Sequence, residues 1–288
     1  MQRKPPWLIV PAPKRTDLDG MKRLLDAGEL HTVCESADCP NIGECFAQRT
    51  CTFMIMGNVC TRSCRFCAVN SSGGPLPLNA AEPASVAKTV RLLGLKHVVI
   101  TSVTRDDLAD GGAAHFAATV EAVRVQCPSV AIEVLIPDFC GKQECLQKIL
   151  HVRPQIIGHN IETVPRLSRQ VRPQARYERS VALLNAVSRS GSSVAKSGLM
   201  LGLGERYEEV VEVLADLKAA GCEIVTMGQY LSPSRQHLPV AEYIEPSLFA
   251  KLEQAAYAIG IRQVAAGPMV RSSYHAARCF ENLRSAVR

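Results

Sequence analysis

No apolar run in this sequence of 288 residues approaches the ~18 that a membrane-spanning helix requires, which excludes a helical membrane protein. The opening stretch, MQRKPPWLIVPAPKR, lacks the apolar helix of a signal peptide and carries prolines where that helix would run. Only 33 residues precede the first cysteine, which leaves little room for an organellar transit peptide. A bacterial-type cytoplasmic protein is the expectation. Repeats of solenoid length and low-complexity tracts are absent. Aromatic residues are scarce, at 5%, while apolar content is ordinary at 47%. The net charge of +6 falls short of what would by itself argue for nucleic acid. The chain is long enough to bury a full core, as one large α/β domain or two smaller ones.

Cysteine, by contrast, is abundant, with twelve in the chain. Disulfide scaffolds belong to short secreted chains, so this count points to metal chemistry. Six of the seven cysteines in residues 34–67 form two close groups. The other six (Cys51, Cys127, Cys140, Cys145, Cys222 and Cys279) are scattered and read as small buried hydrophobes. Cys60, Cys64 and Cys67 form a C-x3-C-x2-C. Three thiolates on one tight loop hold three corners of a cubic iron–sulfur cluster. The next cysteine is Cys127, so no nearby fourth thiolate completes the set as in a ferredoxin. One iron is left open to bind something else. The alternative is a structural zinc knuckle, but zinc prefers four closed ligands.

From residue 51 onward, β-rich runs alternate with helical patterns. The expected strands are Phe53–Met56, His97–Thr101, Ala131–Ile136, Gln155–Gly158, Val194–Leu201 and Glu223–Gly228. Amphipathic helices are expected at about 81–93, 112–126, 142–151, 176–190 and 206–220. Gly94, Gly191, Gly221 and Gly260 stand where helices end, since glycine tolerates the left-handed turn there. Pro83 suits a first helical turn. Strand–helix alternation implies a parallel sheet with right-handed crossovers. Six strands fit an α/β fold, an incomplete (β/α)6 TIM-like barrel with N- and C-terminal extensions. An open doubly wound sheet fits the pattern too. The expected division is an extension over 1–50, the barrel over 51–245 and a second extension over 246–288. Barrel enzymes place active sites at the C-terminal ends of the strands, where the Cys60–Cys67 loop falls.

Just upstream, Cys34, Cys39 and Cys45 form a C-x4-C-x5-C. The whole run, HTVCESADCPNIGEC through TFMIMGNVCTRSCRFCAVN, resembles the lipoyl synthases, a family of the radical S-adenosylmethionine (SAM) superfamily. The resemblance continues through TSVTRDDLADGGAAHF, HNIETVPRL, VRPQARYERS, KSGLMLGLGE, QYLSPSRQHLPV and GPMVRSSYHA, from about residue 5 to 280. It implies a sulfurtransferase that inserts two sulfur atoms at C6 and C8 of a protein-bound octanoyl-lysine. It implies two [4Fe–4S] clusters and SAM as cofactors. Cys60, Cys64, Cys67 and the aromatic Phe66 would serve the SAM-binding cluster. Cys34, Cys39, Cys45 and Ser273 would hold an auxiliary cluster that is dismantled as the sulfur source. Ser273 alternatively reads as a helix N-cap before YHAARCF.

Candidates for holding SAM are Ser102, Asp106, Asn160, Glu162 and Lys196, at or near strand ends. Glu162 and Lys196 are expected at one barrel mouth, because a lone buried charge is costly. Asp106 and Asp107, with Gly111 and Gly112, read alternatively as a helix entry. Gln229, Tyr230, Arg235, His237 and Arg271 are candidates for the octanoyl-lysine entrance. Cys51 and Cys140 depart from the family pattern and are expected to touch no motif ligand.

The implied partners are octanoylated lipoyl carrier domains, namely the E2 subunits of 2-oxoacid dehydrogenases and the glycine cleavage H protein. An electron donor such as ferredoxin or flavodoxin is also implied, with neither nucleic acid nor membrane. Residues 262–288 carry Arg262, Arg271, Arg278, Arg284 and Arg288 against Glu281 alone, a surface suited to an acidic partner. Two rivals remain at this point. A tRNA methylthiotransferase also has two clusters, but the chain has no spare length for an RNA-binding domain. A non-enzymatic iron–sulfur or zinc sensor would leave the barrel pattern without a role.

Overall fold

The computed structural model describes residues 3–285. They divide into two compact units, one made of Pro11–Ser63 and Ala68–Ile156. The other takes in the residues up to Val10, Cys64–Cys67 and the chain from Ile157 onward.

The first unit opens with α1 (Arg15–Asp26), β1 (His31–Thr32), α2 (Val33–Ser36) and α3 (Ile42–Ala47). Strands and helices then alternate: β2 (Thr52–Ile55), α4 (Glu82–Leu93), β3 (His97–Ser102), α5 (Ala113–Gln126), β4 (Ala131–Leu135) and α6 (Gln143–His151). β1 runs antiparallel to β2, whereas β2, β3 and β4 pair in parallel. All four residues of β2 are buried, as expected for a parallel strand covered on both faces. Phe53, Ile100 and Ile132 pack this core with Val90, Phe116 and Ile149 of the helices, each at most 1% exposed. α4 has its proline in the first turn and ends on Gly94, whose φ of 67° is the left-handed cap.

The second unit contains β5 (Ile156–Gly158), α7 (Pro165–Val171), α8 (Tyr177–Arg189), β6 (Val194–Leu201), α9 (Tyr207–Ala219) and β7 (Ile224–Gln229). α10 (Pro246–Ile259), β8 (Gln263–Gly267) and α11 (Ala276–Ser285) complete it. β6, β7 and β8 pair in parallel. Leu184, Val213, Leu214, Ile224 and Phe249 fill its core.

Strand order follows chain order from β1 to β8. A doubly wound sheet reverses its order at a switch point. No reversal occurs, so the winding is that of a TIM-like barrel left open. The six expected strands are present, each end within one residue of expectation. Two more strands come from stretches placed outside the repeat. β1 is only two residues long, and β8 (QVAAG) has one β-branched residue, so neither carries a strand signal. The short α7 went unpredicted for the same reason of length.

Candidate active site

β2 stops at Ile55 because Met56 turns the chain, with a φ of 70°. The Met56 N–H donates to the Glu82 carboxylate at 2.8 Å, and that carboxylate also meets Nε2 of His115 at 2.6 Å. Four residues on, the Cys60 sulfur accepts from the backbone N–H groups of Thr104 and Arg62, at 3.3 and 3.4 Å. Thr61 donates its N–H and its hydroxyl to the Thr104 carbonyl, at 3.0 and 2.9 Å. Arg62 is buried and forms ion pairs with Asp106 at 2.7 Å and Asp138 at 2.6 Å. Asp106 is thus bound to the cysteine loop. The helix entry expected of Asp106 and Asp107 is made instead by Asp110, which accepts from the N–H groups of Gly112 and Ala114. Asp107 pairs with Arg105 at 2.8 Å. Ser102 ends β3, and its buried hydroxyl is one of few such atoms among the described residues with no hydrogen-bond partner.

In the other unit, Cys64–Cys67 is a tight turn closed by the Cys67 N–H on the Cys64 carbonyl, at 3.1 Å. Phe66 is half-buried within it. The Arg65 N–H donates to the Val171 carbonyl, and the Arg65 carbonyl accepts from the Leu238 N–H, both at 3.0 Å. His237 brings Nε2 to the Cys67 carbonyl at 2.9 Å, while its Nδ1 takes the Ser234 hydroxyl at 2.8 Å. The first contact requires the proton on Nε2. The Tyr230 hydroxyl, in a buried side chain, donates to the Leu238 carbonyl at 2.7 Å. The buried Gln229 amide contacts the carbonyls of Leu201, Tyr230 and Glu242 and accepts from the Ile244 N–H. Three residues expected at a substrate entrance therefore brace the loop after β7, and only Arg235 is exposed.

Asn160 and Glu162 follow β5. Glu162 has a φ of 67° and bridges β6 opposite Leu199. Burial pushes its carboxyl above the usual range, against the pull of Arg172 and a hydrogen bond with Asn160. The cation acting on Glu162 is Arg172, which also donates to the carbonyls of Asn160 and Ile161 at 2.9 Å. Sequence reading missed Arg172, although it lies in a block that carries the resemblance. Lys196 is buried in β6 level with His159, three residues before Leu199 and about 10 Å along the strand. The expected shared mouth with Glu162 is not what the backbone shows. Gly198 has no room for a side chain: a Cβ would stand 2.7 Å from Thr226 Oγ1 and 3.0 Å from Asn160 Oδ1.

Cys34, Cys39 and Cys45 come together around α2 and α3. Burial pushes the Cys34 thiol up to about 12, with Cys39 and Cys45 adding repulsion. Burial and the nearby Cys39 push Cys45 up to about 11. Cys51 is buried, and burial pushes its thiol well above the usual range, with Cys34 and Cys45 adding to the rise. Cys140 departs from the burial expected of it: it is exposed, 3.4 Å from Arg62 and 3.3 Å from Asp106. The other five scattered cysteines are buried.

Among the described residues no three His, Cys, Asp or Glu side chains converge on one metal ion. A single zinc needs thiolates ~2.3 Å from one centre, whereas a cube with one thiolate per iron spreads them wider. Three neighbouring thiols, one buried and two partly buried, fit such a group, whose positive charge would deprotonate them. The unsatisfied Ser102 hydroxyl fits a second polar ligand. Ser273 lies upstream of α11, which begins at Ala276, so the N-cap position is not its own. Arg271 donates to the carbonyls of Val270 and Pro268.

Residues 54–217 match the radical SAM superfamily. A lipoyl synthase of Caldanaerobacter subterraneus subsp. tengcongensis is 54% identical over 95% of this chain and 96% of its own length. The chain belongs to the lipoyl synthase family. A second family member, from Chlorobaculum parvum, is 48% identical over 95% of this chain and 94% of its own. The solved structure of methylornithine synthase (PylB) shares the fold with a TM-score of 0.56, at 16% identity over 87% of this chain and 73% of its own. The family uses SAM and [4Fe–4S] clusters, and Cys60, Cys64 and Cys67 lie within the radical SAM match. No helix among the described residues is long and apolar enough to cross a membrane.

Proposed function

We propose that this lipoyl synthase family member replaces one C–H bond at C6 and one at C8 of an octanoyl-lysine by C–S bonds. The clusters and SAM, when bound, supply the radical chemistry and the sulfur. Cys60, Cys64 and Cys67 hold the cluster that binds SAM. Ser102, Asn160 and Glu162 receive the polar groups of SAM at the ends of β3 and β5. Cys34, Cys39 and Cys45, with Ser273, hold the cluster that gives up sulfur. A hydroxyl is a weaker iron ligand than a thiolate, which suits a cluster that must open. Substrates are octanoylated carrier domains, and a low-potential protein such as ferredoxin or flavodoxin supplies electrons in the cytoplasm.

The observation that carries this reading is the second triad. A radical SAM enzyme needs only the first; Cys34, Cys39 and Cys45, brought together as one buried and two partly buried thiols, call for a second role. The test is anaerobic turnover of triad variants. Alanine at 60, 64 and 67 should leave one cluster and abolish SAM cleavage. Alanine at 34, 39 and 45 should leave SAM cleavage and stop sulfur insertion. Stoichiometric zinc in the wild-type protein would end the reading.

A further inference from the structure

A buried charge cluster holds the Cys60 side of the cysteine loop, and the reaction itself gives it no task. The Arg62 guanidinium makes two bonds to Asp106, at 2.7 and 3.0 Å, and one to Asp138 at 2.6 Å. Side-chain exposure is 5% for Arg62 and 0% for Asp138, against 31% for Asp106. Such pairs add little net stability, because desolvation of both partners offsets their attraction. Their contribution is direction, since the planar guanidinium fork accepts few carboxylate placements.

Here the direction is passed to a sulfur. The backbone N–H of Arg62 itself points at Cys60 Sγ, 3.4 Å away. The N–H of Thr104 reaches the same sulfur at 3.3 Å. Thr104 is fastened to the loop by both Thr61 donors, and the Asp106 N–H closes the circuit on Thr61 Oγ1 at 3.0 Å. Asp106 therefore holds the loop twice, through its carboxylate on Arg62 and through its N–H on Thr61.

We propose that Arg62, clamped by Asp106 and Asp138, is a positioning residue that keeps two N–H groups on the Cys60 sulfur and so sets the retention and reduction potential of the cluster Cys60 ligates. This rests on Cys60 being an iron ligand. N–H groups aimed at a thiolate stabilise negative charge, and hydrogen bonds to cluster sulfurs are among the determinants of potential. Without the clamp the two N–H groups lose their aim, the potential falls and iron is stripped more easily.

The test uses the full-length chain carrying Cys34→Ala, Cys39→Ala and Cys45→Ala, so that one cluster is read. Potential is measured by an EPR-monitored redox titration, and retention by the rate of iron loss to a chelator. Arg62→Gln should move the potential to more negative values and speed iron loss tenfold or more. Arg62→Lys, which keeps the charge without the fork, should fall between Arg62→Gln and the parent. Asp106→Asn should shift both readings in the same direction, less far. It lies at the exposed edge and leaves Asp138 on Arg62, so it carries the test if Arg62→Gln does not fold. Parent-like potential and iron loss in these variants would overturn the proposal. Cys60→Ala separates the two claims: a normal cluster in that variant would show that Cys60 is no ligand, whereas its loss beside a parent-like Arg62→Gln would sink the clamp alone.

Discussion

His237 Nε2 sits 2.9 Å from the Cys67 carbonyl, a contact spanning 170 positions of sequence. A histidine expected at a substrate entrance thus braces the turn that carries Cys64 and Cys67. His237→Ala removes one hydrogen bond, worth ~1 kcal/mol or roughly fivefold in rate. The loss should appear in SAM cleavage measured without any octanoyl substrate. A residue that only touches the acyl chain would leave that reaction unchanged and raise the KM for the octanoylated peptide.

Ser273→Ala should permit SAM cleavage yet impair sulfur transfer. Ser273→Cys should bind iron more firmly and turn over less, because thiolate is the softer and stronger ligand. Wild-type sulfur insertion in both variants would remove Ser273 from the cluster.

Glu162 sets a pH dependence whose sign follows from its burial. Its folded-state carboxyl is raised above the unfolded value. Its contribution to stability is therefore fully present below the unfolded pKa and is lost as pH rises through the folded one. Glu162→Gln removes that loss. The Tm difference, variant minus wild type, should grow from about pH 4 upward, while SAM affinity falls. A difference that is flat with pH would contradict the burial argument.

The arginine-rich C-terminal segment is narrower as a docking surface than its sequence suggests. Arg262 pairs with Glu223, and Arg271 is bonded to backbone carbonyls. Arg278 and Arg284 are exposed on α11, and Arg288 lies outside the described residues. Arg278→Glu with Arg284→Glu should raise the apparent KM for an octanoylated carrier domain, most at low salt, since exposed charge is screened beyond ~8 Å at physiological ionic strength. A short octanoyl-lysine peptide should be barely affected. Equal losses with domain and peptide would place the segment at the active site instead.

The strands of the repeat were legible because buried parallel strands are continuous apolar runs punctuated by glycine caps. The two cysteine triads stand out because their spacing is local. Arg62 and Asp138 were not: 76 positions separate them, and an ion pair formed through folding leaves no periodic trace. The only signal was an arginine set between two motif cysteines, Cys60 and Cys64. A polar residue at the end of a barrel strand reads as a site residue; Gln229 and Tyr230 are also buried and bonded to backbone, which the sequence does not signal.

The most direct test is anaerobic incubation of the reconstituted protein with SAM, a strong reductant and an octanoyl-lysine peptide, followed by peptide mass. The expected product is heavier by two sulfur atoms, formed through a species with one, and absent when Cys34, Cys39 and Cys45 are alanine. SAM cleavage with an unchanged peptide mass, under conditions where both clusters are intact, would contradict that expectation.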